Sequence, residues 1–108
     1  MNGPGSFVLT IQDYTFDPQH LEVPPGATIV VLNHDHFAHT VTSAAAAGTY
    51  VYGEVNGVGF DTGPFRGTRT VTIPPAAPVG TVVPYFCAEY RDAMLDAPDI
   101  TIVTPPAE

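Results

Sequence analysis

The chain has 108 residues, enough for one domain with its own core and too few for several. A hydrophobic fraction of 44% excludes an intrinsically disordered polypeptide. Eleven acidic side chains against three arginines and no lysine give a formal net charge of -8, which excludes a nucleic-acid binder because nothing here could neutralise phosphates.

Residues 1–6 (Met-Asn-Gly-Pro-Gly-Ser) read as a flexible lead or cloning remnant, residues 7–104 as the folded domain, and 105–108 as a tail. Twelve prolines and ten glycines cut the chain into short runs rich in Val, Ile, Thr, Tyr and Phe. These runs predict strands at residues 7–12, 21–23, 28–33, 40–43, 68–73, 81–86 and 99–104. The run Ile29-Val30-Val31-Leu32 is continuous and predicts a strand buried on both faces, whereas Thr68 to Ile73 alternates as a half-exposed antiparallel strand does. Pro24-Pro25-Gly26 and the proline-rich stretch from Pro74 to Gly80 are turns between strands. Ser43 to Gly48 predicts one helical turn, capped by Ser43 and stopped by Gly48, and the Tyr- and Gly-rich stretch that follows is an excursion between strands. A second turn is expected over residues 92–97. The fold class is therefore all-β, a Greek-key sandwich or barrel of about seven to eight strands.

No stretch is long and apolar enough for a membrane span; the longest apolar run, Ala27 to Leu32, is broken by Thr28. The net charge points to a monomer whose copies repel one another and to a partner with a basic docking surface. A single cysteine cannot form an internal disulfide, so it leaves the compartment open.

That cysteine, Cys87, sits at the end of a predicted strand in Tyr85-Phe86-Cys87, with Met94 seven residues on. Upstream, Asn33-His34-Asp35-His36-Phe37-Ala38-His39 supplies imidazoles at another strand edge. Thiolate, imidazole and thioether are the donor types of a blue-copper centre, whose usual set is two histidines, one cysteine and a distant methionine. Each residue also has a plain structural reading. Cys87 could be a small buried hydrophobe, Met94 loop packing, and His34 and His36 solvated side chains. Period-two spacing would let His34 and His36, with Asp35 or His39, capture a metal at the surface. His20 carries no functional weight. No Ser/His/Asp constellation or phosphate loop is present; a Cys87–His39 nucleophile pair is formally possible, but the residue types argue for a non-enzyme.

Several ordered motifs resemble the cupredoxin family over residues 7–103. The segment from Tyr14 to Ile29, with Phe16, Pro18, Leu21, Val23 and Gly26, is similar to that family's opening strand pair. Asn33 with His39 six residues later resembles the first copper-ligand segment, and Gly59-Phe60-Asp61-Thr62-Gly63 the family's Phe-Asp-Ser-Gly turn. Gly80-Thr81 through Tyr85-Phe86-Cys87 resembles the strand carrying the thiolate. The resemblance, to proteins of the plastocyanin, amicyanin and pseudoazurin kind, implies electron transfer with one copper ion, Cu(I) or Cu(II), in a periplasmic or extracellular setting. It implies His39 as upstream imidazole, Cys87 as thiolate and Met94 as axial thioether.

The second imidazole expected three positions after the cysteine is replaced by Tyr90, either a hydrogen-bonding plug or a conditional phenolate ligand. Glu89 is a further replacement, on the same side as Cys87 if the backbone stays extended. His36 could also swing in. An incomplete site leaves two alternatives to electron transfer: a Cu(I)-handling protein without efficient redox cycling, or a metal-free scaffold acting as an interaction module. Asn33 is expected to fix the ligand loop through backbone hydrogen bonds.

Overall fold

The alternation of apolar and polar residues sorts the strands into two layers around one core. The fold is that of a computed structural model, which describes residues 6–89 and 98–105. It has β1 (Ser6–Gln12), β2 (Thr15–Asp17), β3 (His20–Val23), β4 (Thr28–Asn33), β5 (Thr42–Ser43), β6 (Gly67–Thr72), β7 (Val82–Phe86) and β8 (Asp99–Ile102), with no helix among the described residues. One sheet runs β2-β1-β4-β6 and the other β3-β8-β7-β5. The first strand pairs in parallel with the fourth and the third with the eighth, so the connections cross between layers in Greek-key fashion.

The core lies between the sheets. Leu9, Ile11, Ile29, Val31 and Val71 come from the first and Leu21, Val23, Val83, Tyr85, Ile100 and Ile102 from the second, all buried. Phe16 closes one side, its ring 4.9 Å from that of Tyr85 and nearly perpendicular to it. The phenol of Tyr85 is carried into this core without a hydrogen-bond partner among the described residues. Desolvation, and secondarily the charge of Asp99, push that phenol far above the usual tyrosine range.

Three expectations need correction. The central strand β4 is not buried on both faces: Ile29, Val31 and Asn33 are buried while Thr28, Val30 and Leu32 are half-exposed, because only one face of this sheet is covered by the other layer. The helical turn at Ser43–Gly48 does not form. Ser43 is instead the last residue of β5, and its hydroxyl donates to the Gly53 carbonyl at 2.7 Å and accepts from the Phe60 amide at 2.9 Å. The cap is spent on holding the excursion, and Gly48, at φ 82°, completes a tight turn. Finally, β2 is an extra strand, joined to β1 by the two-residue turn Asp13-Tyr14 in which both residues have positive φ, 54° and 60°.

Candidate metal centre

Two strand ends bring the site together. Asn33 closes β4, and its buried side chain shapes the loop that follows. Its amide nitrogen donates to the carbonyls of Phe37 at 2.8 Å and Phe65 at 2.9 Å, and its oxygen accepts from the Asp35 amide at 2.9 Å. The loop-fixing role expected of Asn33 is present. His39 is then tied by its backbone to Phe65 in both directions, at 3.1 and 3.0 Å.

Cys87 follows β7 directly. The antiparallel register of β5 and β7, with Thr42 opposite Phe86, sets the segment after His39 beside the segment after Cys87. Thr40 makes the junction: its amide donates to Cys87 Sγ at 3.4 Å, and its hydroxyl accepts from the Ala88 amide at 2.7 Å. The hydroxyls of Thr40 and Thr42 lie 2.9 Å apart, and Thr42 donates to Asp61 Oδ1 at 3.0 Å. Because an amide can only donate and a carboxylate only accept, the chain is polarised in one direction from Ala88 to Asp61.

His39 Nδ1 lies 3.6 Å from Cys87 Sγ, and the two residues are 0% and 1% exposed. The other ring nitrogen, Nε2, lies 2.8 Å from Asp35 Oδ2. The Tyr14 and His39 rings meet nearly perpendicular at a centroid distance of 5.3 Å, and Phe37, half-exposed, packs on Tyr14 at 5.7 Å. Asp35 also accepts the amides of Asp13 at 2.7 Å and Tyr14 at 3.0 Å. Desolvation raises its carboxyl, but these amides and the His39 hydrogen bond more than offset this and hold it below the usual carboxylate range.

The geometry can be tested against a first-row ion. With a thiolate sulfur at about 2.3 Å and an imidazole nitrogen at about 2.0 Å, a 3.6 Å separation subtends roughly 113° at the ion. That angle suits both trigonal and tetrahedral coordination, and the soft sulfur with a neutral imidazole suits copper. The amide of Thr40 adds the hydrogen bond a thiolate needs when buried. The described donors therefore fit a copper ion on one side.

The remaining candidates fare differently. Tyr90 and Met94, like the turn expected over residues 92–97, lie outside the described residues. Glu89 is exposed where Cys87 is buried, the chain having left the extended conformation at the end of β7. His34 and His36 are exposed, and Asp35 between them turns inward to His39, which removes the surface cluster those three could have formed. His36 thus points to solvent and not towards Cys87. Among the described residues no group of three or more His, Cys, Asp or Glu side chains is gathered to hold a metal. His20 pairs with Asp99 at 2.9 Å on the surface. The hydroxyl chain from Thr40 to Asp61 and the inward role of Asp35 were not foreseen; the only sequence signal for the latter is an acidic residue four positions before the histidine.

No family model matches the sequence, and no curated protein matches it. Among solved structures, pseudoazurin from Methylobacterium extorquens AM1 superposes with a TM-score of 0.68 at 16% identity, covering 91% of this chain and 75% of that one. Reduced auracyanin from the photosynthetic bacterium Roseiflexus castenholzii gives 0.67 at 14% identity, covering 91% and 96%. The Cu(I) form of an amicyanin variant gives 0.64 at 18% identity, covering 90% and 81%. The chain has the cupredoxin fold.

Proposed function

We propose that this cupredoxin-fold chain is a small copper protein of the electron-transfer type, with His39 and Cys87 as two of its ligands. The observation that carries the reading is the buried 3.6 Å approach of His39 Nδ1 to Cys87 Sγ, made across two loops 48 residues apart. Copper held there would supply one-electron exchange between Cu(I) and Cu(II). The chain's own residues do the rest. Thr40 donates to the sulfur, Asn33 fixes the loop bearing the imidazole, and the core excludes water from both donors. Met94 as axial thioether and Tyr90 in the place of a second imidazole complete the proposed set.

A second reading is favoured by one specific observation, the pairing of a soft sulfur with a single imidazole among the described donors. That pairing suits Cu(I), and the chain would then hold Cu(I) without efficient cycling. A metal-free interaction scaffold is the third reading.

The array Asp35–His39–Cys87 has the order of a nucleophilic triad, yet Cys87 is 1% exposed and no substrate carbonyl could reach its sulfur, so we read the chain as a non-enzyme. A net charge of -8 supports a redox partner with a basic docking surface and a monomeric carrier in a periplasmic or extracellular setting. No helix among the described residues is long and apolar enough to cross a membrane.

Titration of the purified chain with Cu(II) and, separately, Cu(I) tests this. An intense visible thiolate-to-copper band supports electron transfer. Colourless Cu(I) binding selects the second reading, and no binding of either ion leaves the scaffold.

A further inference from the structure

The two ring nitrogens of His39 face opposite neighbours, and in a neutral ring only one placement of the proton satisfies the carboxylate. Nε2 meets the carboxylate of Asp35 at 2.8 Å, and a carboxylate oxygen can only accept. The proton of a neutral ring therefore belongs on Nε2, which leaves the lone pair at Nδ1, 3.6 Å from Cys87 Sγ.

Asp35 is itself held from three sides. Its Oδ1 accepts the Asp13 amide, its Oδ2 the Tyr14 amide, and its own amide donates to Asn33 Oδ1. The Asp13 and Tyr14 amides converge on it because both residues adopt positive φ, turning successive N–H groups towards one side of the chain. A tyrosine at φ 60° is a costly conformation, and the hydrogen bond to Asp35 offsets that cost.

We infer that Asp35 is a positioning residue that locks the His39 tautomer with its Nδ1 lone pair towards the Cys87 sulfur, and that the Asp13–Tyr14 turn is the cradle holding Asp35 to that task. The consequence for metal affinity rests on the copper reading proposed above; the tautomer does not. Partners that orient a metal-bound histidine typically contribute about 10- to 100-fold in affinity.

The metal-free full-length chain at neutral pH gives the decisive measurement, a nitrogen-15 long-range correlation spectrum of the His39 ring. The expected result is a proton on Nε2 alone in the wild type. In Asp35→Ala, still folded by circular dichroism, a mixture of tautomers or Nδ1–H is expected. A proton on Nδ1 in the wild type, alone or together with Nε2–H, overturns the proposal, and this outcome needs no variant. A folded Asp35→Ala whose Nε2–H tautomer is unchanged overturns it as well. By competition with a chromogenic chelator, Cu(I) affinity should fall about 10- to 100-fold in Asp35→Ala. An affinity equal to wild type would overturn the consequence for the metal. A wild type that binds no Cu(I) overturns the copper reading alone, because the tautomer is read without metal.

Discussion

Replacing Tyr85 by phenylalanine removes one atom from the middle of the core. That residue is 3% exposed, its ring packs on Phe16 at 4.9 Å and Phe60 at 6.4 Å, and its hydroxyl has no hydrogen-bond partner among the described residues. An unsatisfied buried polar group costs about 1–3 kcal/mol, and phenylalanine keeps the ring and both aromatic contacts. Taking the low end, since the lost oxygen also made some dispersion contacts, Tyr85→Phe should stabilise the domain by about 1 kcal/mol and raise Tm by roughly 4–8 °C at pH 7.

The alkaline limb sharpens the test. The unfolded phenol ionises near pH ~10, while the folded one, desolvated and facing Asp99, keeps its proton well above that. Above pH ~10 the unfolded state therefore binds fewer protons than the folded state, and wild-type stability falls by about 1.4 kcal/mol per pH unit through this group. The variant lacks that slope. Its advantage should widen from about 1 kcal/mol at pH 7 to about 2.4 kcal/mol at pH 11. Urea unfolding of both proteins at the two pH values measures it. A variant destabilised at pH 7 would refute the reasoning and show the hydroxyl to be bonded in solution, as to a buried water. A gap that stays constant to pH 11 would refute it by showing that the folded phenol ionises as readily as the unfolded one.

Cys87→Ser should abolish Cu(I) binding while leaving the far-UV spectrum unchanged, because the sulfur supplies most of the soft-donor bonding; Cu(I) held as tightly as by wild type would reject it as the dominant ligand. Thr40→Val keeps the amide bond to sulfur but deprives the Ala88 amide of its acceptor. A loss of about 1–3 kcal/mol is expected, with at least tenfold faster hydrogen exchange at Ala88; unchanged exchange would show the Thr40–Asp61 chain to be unimportant. Tyr90→His should turn weak or atypical copper colour into an intense blue band, by exchanging a phenol that must first deprotonate for a neutral imidazole. A wild type that is already intensely blue would contradict the assignment of Tyr90 to the missing imidazole.

The elements legible in the sequence are those whose signals are both local and redundant. β4 begins after Pro24-Pro25-Gly26 and ends at Asn33, where the expectation put it, because a turn and a run of β-branched residues agree there. Cys87 and His39 were legible for a chemical reason: a lone thiol beside aromatic strand residues and a histidine at a fixed distance from Asn33 are rare coincidences. β2 was not, because three residues give no periodicity to read, and the turn before it contains no glycine to announce positive φ. The burial of β4 was misjudged since a continuous apolar run says nothing of what covers its second face. The inward turn of Asp35 was not legible because most aspartates are solvated, and the contacts that draw it inward are backbone amides brought round by a turn invisible in the sequence. Ser43 and Gly48 carried helix signals correctly by local rules, and tertiary hydrogen bonds to Gly53 and Phe60 outweighed them.

The outermost strands of the two sheets also govern how the chain behaves in a crowd. Three of the four are stubs, with β2, β3 and β5 spanning three, four and two residues, too short to template a neighbour. The fourth, β6, is the exception, six residues whose outer row of amides and carbonyls meets no further strand among the described residues. Its defence is chemical. Threonines at 68, 70 and 72 replace apolar side chains on the exposed row, and Arg69 lays its guanidinium across the Phe65 ring at 5.5 Å, placing a fixed cation beside that edge. Two copies docking edge to edge would have to bring two such cations together within bodies that already repel through eight net negative charges each. Arg69→Val would make the same ribbon uncharged and β-branched, and so turn a protected margin into an adhesive one.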